Sequence, residues 1–373
     1  MTSFKFLLSL FKPKKTSSKS WDIKNPVPQK ESFTNLRLME LNAQDLFISL
    51  AYPVQPHDLT GLSEEQWQLL GDGDVPQKPL HKLFGLQELF LKERPDVAMI
   101  CEVGGMKSLE AFNSLFLNDS YLPLMSEGDS ERGIECCFLV KKGIGLESSV
   151  VGHHNIQVKY KYEFEELGKN SGKDSLVVPF SKRRMSRSVQ ELSLYGSKSD
   201  SKSPLLVILM VHLKSGFDPD QIDEKGRRRR GAEVASLIKL KKSVERKFGD
   251  NVPVIIAGDF NGDASLESHD PEFSPMYRDN NMRDVLKLAS RPKFDRITHF
   301  TFIESKIQTN QLDYIFLPPS LYESFLSEKT YVHKWCYAGS FEEMQPPSSL
   351  RERNELPSDH YPLICELRLK AKI

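Results

Sequence analysis

The sequence VIIAGDFNGD, residues 254–263, is an apolar run that ends in three oxygen-bearing side chains. Its first four residues are typical of a strand that is buried on both faces. Asp259, Asn261 and Asp263 follow at intervals of two residues. Carboxylate and amide oxygens are the ligands that hard cations prefer. We therefore expect a buried strand that presents a polar site where it ends.

Polar side chains end other apolar runs of the sequence in the same way. The runs are PDVAMICEVGG, SPLLVILMVHLKSG, NQLDYIFLPP and DHYPLICELRL, and the side chains at or just beyond their ends are Glu102, His212, Asp313, Asp359 and His360. Ligand sites of sheet proteins form from the loops at one end of the strands. The repeated pattern therefore predicts one convergent pocket.

Helical patterns alternate with these strands. Residues 230–248 predict an amphipathic helix whose apolar side is Val234, Leu237, Ile238, Leu240 and Val244. SLEAFNSLFL, residues 108–117, predicts another helix, with Ser108 available as its cap. Residues 160–204 are typical of long surface loops. Because several consecutive strands have no helix between them, the sequence predicts an α/β fold with mixed sheets.

Composition narrows the classes of function. The 373 residues carry 51 Lys and Arg against 51 Asp and Glu, so no overall field attracts nucleic acid or a membrane. The five cysteines form no C-x-x-C pair, which favours a reducing compartment. The apolar stretch 6–11 is too short for a secretory signal, although a weak interfacial anchor there stays open. We expect a cytoplasmic protein without a transmembrane segment, with residues 1–34 as a disordered tail and residues 35–373 as the catalytic domain.

A calcium-binding loop is the alternative interpretation of the opening stretch. DFNGDASLESHD places Asp259, Asn261, Asp263 and Asp270 at positions 1, 3, 5 and 12 of such a loop. Position 6 is Ala264 instead of glycine, and the loop follows a strand where a helix is required. An oxygen-rich site without cysteine instead suits Mg²⁺ first and Mn²⁺ next. Histidines beside such a metal suit attack of water on a phosphate ester.

Two basic runs are candidate phosphate-binding segments. They are EKGRRRRGAEVASLIKLKKSVERK, residues 224–247, and SKRRMSRS, residues 181–188. Either run could follow a phosphate backbone. The alternative is that the first run covers the solvated face of the amphipathic helix.

Six motifs resemble those of the endonuclease/exonuclease/phosphatase superfamily and occur in its order. They are LRLMELNAQDLF, CEVGG, HLKS, GDFN, QLDYIF and SDHYPL, spread over residues 36–363. This metal-dependent group includes pancreatic deoxyribonuclease, exonuclease III-like repair nucleases, sphingomyelinases and inositol polyphosphate 5-phosphatases. The resemblance implies a four-layer α/β sandwich, two packed mixed β-sheets flanked by helices. Cys101 stands where many members have Gln, which bears on the substrate.

The resemblance also implies roles for individual residues. Glu102 resembles the principal Mg²⁺ ligand, with Asn42 and Asp359 near the metal. His212 resembles the histidine that hydrogen-bonds the scissile phosphate, and Asp259 and Asn261 the pair that positions water and stabilises the oxyanion. The remaining catalytic residues are Asp313 and His360. The candidate phosphate contacts are Arg187, Arg227 and Arg228.

The function expected from this resemblance is divalent-metal-dependent hydrolysis of a phosphodiester, most simply by a nuclease using in-line attack of water. Asp259 and His360 are both candidates for the general base. A phospholipid or inositol-phosphate phosphatase or phosphodiesterase on the same scaffold is one alternative. A binding module without catalysis is another, but it predicts a missing ligand or base, and all the matching positions are filled.

Overall fold

The computed structural model describes residues 33–370 except residues 74, 129, 131, 168–182, 197–202, 250, 279, 305 and 336–345. The strands are β1 Phe33–Leu46, β2 Val97–Val103, β3 Tyr121–Leu124, β4 Glu135–Lys141, β5 Leu146–His153, β6 Val189–Gly196, β7 Leu206–His212, β8 Val254–Asp259, β9 Arg283–Asp284, β10 His299–Ile303, β11 Lys306–Asn310, β12 Asp313–Leu317, β13 Tyr331–Val332 and β14 Leu363–Lys370. The helices are α1 Glu64–Leu69, α2 Leu80–Glu93, α3 Met106–Leu117, α4 Glu163–Leu167, α5 Arg227–Phe248, α6 Ser274–Arg278, α7 Val285–Leu288 and α8 Leu350–Glu355.

Two six-stranded sheets contain most of these strands. Their orders are β13-β14-β1-β2-β4-β3 and β5-β6-β7-β8-β12-β9, and β10 and β11 form a separate hairpin. The β1–β2 and β7–β8 pairs are parallel, whereas the other pairs are antiparallel. Both sheets are therefore mixed, as the sequence predicts.

Alternate residues of β7 show how the layers pack. Ile208 and Met210 belong to the apolar cluster that includes β1, β2 and β14, so they face the other sheet. Val207 and Leu209 belong to a second cluster, together with Val234 of α5. Because successive strand side chains point to opposite faces, the second sheet lies between the first sheet and α5. The predicted four-layer sandwich is confirmed.

The long helix α5 begins three residues before the predicted start. Gly226 precedes it with φ 65°, and a Cβ there would lie 2.4 Å from the carbonyl oxygen of Ser215. Only glycine fits both this conformation and this approach. Of the predicted apolar side, Leu240 is partly buried and the other four residues are buried.

Two local predictions are wrong. Ser108 does not cap α3, because the helix begins at Met106, and the Ser108 hydroxyl lies within its first turn and donates to the carbonyl oxygen of Gly104 at 3.0 Å. The described part of the interval 160–204 contains α4 and β6, and residues 168–182 and 197–202 lie outside the described residues. Gln190 and Glu191 make β6 look solvated, yet both are buried between β5 and β7.

The predicted tail lies outside the described residues as far as residue 32, and residues 33 and 34 already belong to β1. The domain bounds stay a prediction. Four cysteines, Cys101, Cys136, Cys137 and Cys365, are free and buried, and Cys336 lies outside the described residues. In the described part of the chain, no helix is both long enough and apolar enough to cross a membrane.

Candidate active site

The candidate site lies where the central strands of both sheets end. Asn42, Glu102, His212 and Asp259 stand in or at the ends of β1, β2, β7 and β8. Strands β12 and β14 run antiparallel to β8 and β1, so the beginning of each lies at this same edge. That geometry brings Asp313 and His360 to the site although more than 200 residues separate them from Asn42.

Asn42 connects the two sheets. Its Nδ2 donates to Asp259 Oδ2 at 3.0 Å and to Glu102 Oε1 at 3.3 Å. Its Oδ1 accepts from the backbone N–H of Gln44 at 2.9 Å, and its carbonyl oxygen accepts from Ser358 Oγ at 2.7 Å. A buried amide with this many partners has a fixed orientation.

Glu102 is held in the left-handed backbone region, with φ 62°. Such a conformation in a non-glycine residue is strained and persists only where the surroundings enforce it. Its Oε2 accepts from the backbone N–H of Asp45 at 3.2 Å, and its side chain is 14% exposed. The carboxylate is therefore fixed and reaches the solvent-accessible side of the site.

His212 and Asn261 flank Asp259. The Nε2 atom of His212 lies 3.5 Å from Asp259 Oδ2 and 3.8 Å from Glu102 Oε1. The Asn261 backbone N–H donates to Asp259 Oδ1 at 2.8 Å, and Asn261 Nδ2 donates to the carbonyl oxygen of Leu213 at 3.1 Å. Asn261 also has a left-handed backbone, with φ 52°.

Asp313 and His360 form a buried ion pair. The Nδ1 atom of His360 lies 2.7 Å from Asp313 Oδ2. The His360 backbone N–H donates to Ser358 Oγ at 3.0 Å, so the same serine fixes both His360 and Asn42. This contact leaves Nε2 of His360 as the ring nitrogen available for other partners.

Asp359 points to a different neighbourhood from its sequence neighbour. Its carboxylate accepts a hydrogen bond from Arg353 of α8, and its Oδ2 lies 3.9 Å from Nε2 of His299. The rings of His299 and His360 are in contact, with centroids 4.6 Å apart. The predicted metal ligand is therefore already paired with a cation.

The protonation states follow from burial and charge. Burial raises the pKa of Asp259 to about 7, with Asp313 adding repulsion and His360 opposing it. Burial lowers the pKa of His212 well below its usual range, and the charges of Arg187 and His360 add to that shift. Burial is the largest single effect on His360 and lowers its pKa, but Asp313, together with Asp259 and Asp359, outweighs burial and raises the pKa to about 10. The site therefore combines a neutral His212, a charged His360 and an Asp259 that titrates near neutrality.

Among the residues that the structure describes, two overlapping groups of side chains could hold a metal ion. They are His299 with Asp359 and His360, and Asp259 with Asp313 and His360; within each group the ligand atoms lie within 4.8 Å of one another. Glu102 belongs to neither group. Its neighbour Asp259 nevertheless offers carboxylate oxygens, and the Glu102 carboxylate reaches solvent. This donor set suits a hard divalent cation that keeps some of its waters.

The calcium-loop alternative does not fit the geometry. Oδ1 of Asp263 accepts from the backbone N–H and the hydroxyl of Ser265, and its Oδ2 accepts from Ser268. Asp270 binds Arg227 and the backbone N–H of Asp263. These oxygens stabilise their own loop and are not directed at a common ion.

The three predicted phosphate contacts lie in different places. Arg187 donates to the carbonyl oxygen of Leu213, next to His212, and so lies at the site. Arg227 is paired with Asp270, and Arg228 donates to the carbonyl oxygen of Lys161. The structure therefore brings Arg187 to the other predicted residues, whereas Arg227 and Arg228 contact surrounding loops.

Sequence reasoning missed three residues around the site. His299 begins a hairpin strand with alternating aromatics and looks like a surface residue. Lys78 is buried, and its Nζ donates to the carbonyl oxygens of Ala43 and Gln44 at 2.8 and 2.9 Å. Glu40 is completely buried, and burial, with repulsion from Asp313 and Asp259, raises its pKa well above the usual range. Only Glu40 had a signal, as an acid inside the apolar pattern of β1.

Comparison with known proteins gives matches at the level of structure only. No family model and no curated protein matches the sequence. The human Nocturnin catalytic domain with bound sulfate matches at TM-score 0.52 and 15% identity, covering 90% of this chain and 94% of that one.

D. rerio TDP2 complexed with a single-strand DNA product matches at TM-score 0.51 and 14% identity, covering 89% of this chain and 98% of that one. A Bacteroides thetaiotaomicron protein described as an endonuclease/exonuclease/phosphatase family protein has TM-score 0.48 and 14% identity, with 91% and 100% coverage. At these identities the likeness concerns the fold. This chain shares the fold of the Nocturnin catalytic domain and of TDP2.

Proposed function

We propose that this chain is a divalent-metal-dependent phosphodiester hydrolase that acts on nucleic acid. The observation that carries the proposal is the convergence of His212 and Glu102 on Asp259, which also lies beside the Asp313–His360 pair. Hydrolysis of a phosphodiester requires charge neutralisation, a proton acceptor and hydrogen-bond donors around one phosphorus atom.

Glu102 would hold the metal, with Asn42 fixing the orientation of its carboxylate. Asp359, the other predicted ligand, is paired with Arg353 and would act from a distance. A bound Mg²⁺ or Mn²⁺ ion would supply electrostatic stabilisation of phosphate oxygens. The histidines remain free for proton transfer and hydrogen bonding.

Asp259 is the general base that the pKa values support. A carboxylate whose pKa is about 7 accepts a proton from water more readily than an ordinary aspartate, and about half of it is ionised at neutral pH. Asn261 orients it through a 2.8 Å backbone hydrogen bond. His360, charged below pH 10, is better suited to stabilise or protonate a phosphate oxygen than to accept a proton. His212 has a neutral ring that suits hydrogen bonding to the phosphate.

Nucleic acid is supported as the substrate class by two observations. The D. rerio TDP2 structure of the same fold was solved with a single-strand DNA product. In addition, Arg187 places a cation beside His212, where a phosphate backbone would pass.

The experiment is a substrate comparison with Mg²⁺, Mn²⁺ or EDTA, using plasmid DNA, DNA and RNA oligonucleotides, sphingomyelin and an inositol polyphosphate. We expect metal-dependent cleavage of a nucleic acid that falls by 10²–10⁴-fold in Asp259→Asn. The matched control is Asp220→Asn, an exposed aspartate that should retain wild-type activity. Cleavage of only the lipid or only the inositol phosphate would show that this compound, and not nucleic acid, represents the substrate class. A fully active Asp259→Asn enzyme would contradict the role of Asp259.

A further inference from the structure

A strongly basic cavity opens beside the catalytic residues. Its volume is about 570 Å³, and six cationic side chains line it: Arg132, Arg183, Arg184, Arg187, Lys214 and Arg229. Among the described residues no acidic side chain belongs to the lining, and Asp129 and Glu131, the sequence neighbours of Ser130 and Arg132, lie outside the described residues. We call it the arginine cavity. Three of the cations have carboxylate partners, since Arg132 pairs with Asp45, Arg183 with Glu165 and Arg229 with Glu233. A cavity lined by one sign of charge nevertheless attracts anions.

The arginine cavity has a fixed framework. Glu233, completely buried in α5, accepts from the backbone N–H and the hydroxyl of Ser186, both at 2.7 Å, and from the backbone N–H of Lys214 at 2.8 Å. One carboxylate thereby joins the two loops that carry Arg187 and Lys214. On the opposite wall, Arg183 lies over the Tyr160 ring at 4.6 Å. The cations are therefore held in place before any ligand binds.

Two of these cations are not neutralised by the protein. In the part of the chain that the structure describes, Arg187 donates to the carbonyl oxygen of Leu213 at 3.3 Å and has no carboxylate partner. Lys214 likewise donates to the carbonyl oxygens of Ser215 and Phe217, at 2.9 and 2.8 Å. Carbonyl oxygens orient a cation without cancelling its charge, so both remain available to an anion.

The cavity adjoins the catalytic centre on the side of His212. Lys214 follows His212 by two residues, and the Leu213 carbonyl that binds Arg187 lies between them. Arg132 lies 3.4 Å from Asp45, whose backbone N–H binds Glu102. An anion in the cavity would therefore be close to, but separate from, a phosphate at Glu102 and Asp259.

We infer that the arginine cavity binds a second, non-scissile phosphate group of the substrate, an inference that rests on the proposed hydrolase function. It selects substrates in which another phosphate stands near the scissile one. A nucleic-acid strand has this arrangement, and so does an inositol polyphosphate. A phospholipid with a single phosphodiester leaves the cavity without a ligand.

The test compares the dinucleotides TpT, pTpT and TpTp, which share one scissile phosphodiester and differ in a terminal phosphate. With Mg²⁺, kcat/KM for pTpT or TpTp should exceed that for TpT by at least tenfold. This ratio should fall about tenfold in Lys214→Met. It should not change in Arg246→Met, an exposed arginine on α5 far along the helix from the cavity. An inositol trisphosphate is tested in parallel. The substrate whose cleavage depends on Lys214 identifies the source of the second phosphate, either a nucleic-acid strand or an inositol polyphosphate.

Binding of pyrophosphate to the metal-free protein, measured by calorimetry, gives a readout that does not need catalysis. Its Kd should rise about tenfold in Lys214→Met and stay unchanged in Arg246→Met. Equal cleavage of the three dinucleotides would overturn the second-phosphate site and leave the hydrolase proposal standing. Pyrophosphate binding that depends on Lys214, without cleavage of any substrate, would overturn the hydrolase proposal and leave the anion-binding cavity standing. Pyrophosphate binding that is the same in both variants would also overturn the cavity assignment.

Discussion

Replacing Asp313 by Asn removes the charge that keeps His360 protonated. The wild-type pair, with 2.7 Å between Nδ1 and Oδ2, raises the pKa of His360 to about 10. His360 is then almost fully charged at pH 7. Without Asp313, burial still lowers that pKa, while Asp259 and Asp359 still raise it. A fall to the ordinary value of about 6.5 would leave about one quarter of the rings charged at pH 7 and about 1% at pH 8.5.

The loss of activity in the variant should therefore depend on pH and grow as the pH rises. We expect kcat of Asp313→Asn to fall by about 10²-fold at pH 7 and to decline further as the pH rises from 6 to 9. The wild type should keep its charged histidine throughout that interval. Oligonucleotide cleavage measured between pH 5.5 and 9.5 tests this, with Asp220→Asn as control and a thermal melt to show that each variant is folded.

Two results would refute this reasoning. One is an Asp313→Asn enzyme whose rate matches the wild type across the whole pH range. The other is a His360 ring signal that titrates near pH 10 in the variant, as followed by NMR. Asn is nearly the same size as Asp and can still accept from Nδ1, so packing changes do not explain the expected loss.

Three further predictions concern the framework of the site. A Cβ on Gly258, whose φ is 134°, would lie 1.9 Å from the carbonyl oxygen of Val211, so Gly258→Ala should lower kcat by about 10²-fold and lower the melting temperature. Lys78→Met should weaken Mg²⁺ binding about tenfold, because Lys78 holds the carbonyl oxygens of Ala43 and Gln44, just before the Asp45 N–H that donates to Glu102. The control Lys241→Met, at another buried lysine, should leave Mg²⁺ binding unchanged. Burial opposes the shift, but three side-chain donors lower the pKa of Glu93 to about 2. The wild type should therefore lose stability as the pH falls from 4.5 to 2, and acid-unfolding curves of Glu93→Gln should show a smaller loss over that interval.

The strands with continuous apolar runs were predictable from sequence. Strands β2 and β8 are buried at nearly every position, so their composition alone identifies them. Strand β6 could not be recognised in the same way. Its buried Gln190 and Glu191 find partners in Ser126 and His153, which lie far along the chain. A polar side chain that is satisfied by distant residues looks solvated in the sequence.

The catalytic candidates were predictable because each lies near an end of an apolar strand pattern, but their electrostatics were not. The pKa values of Asp259 and His360 depend on contacts between β8, β12 and the segment before β14, which a one-dimensional pattern does not contain. The pairing of Asp359 with Arg353 is hidden for the same reason, since it requires the position of α8. His299 lacks a motif and becomes visible only through its ring contact with His360.

The most direct measurement of the central claim is cleavage of a DNA or RNA oligonucleotide by Glu102→Ala with and without Mg²⁺. The matched control is Glu110→Ala, an exposed glutamate on α3. We predict that the wild type and Glu110→Ala cleave only when Mg²⁺ or Mn²⁺ is present, and that Glu102→Ala loses at least 10²-fold of that activity. Cleavage by Glu102→Ala at the wild-type rate, or cleavage by the wild type in EDTA, would contradict the account.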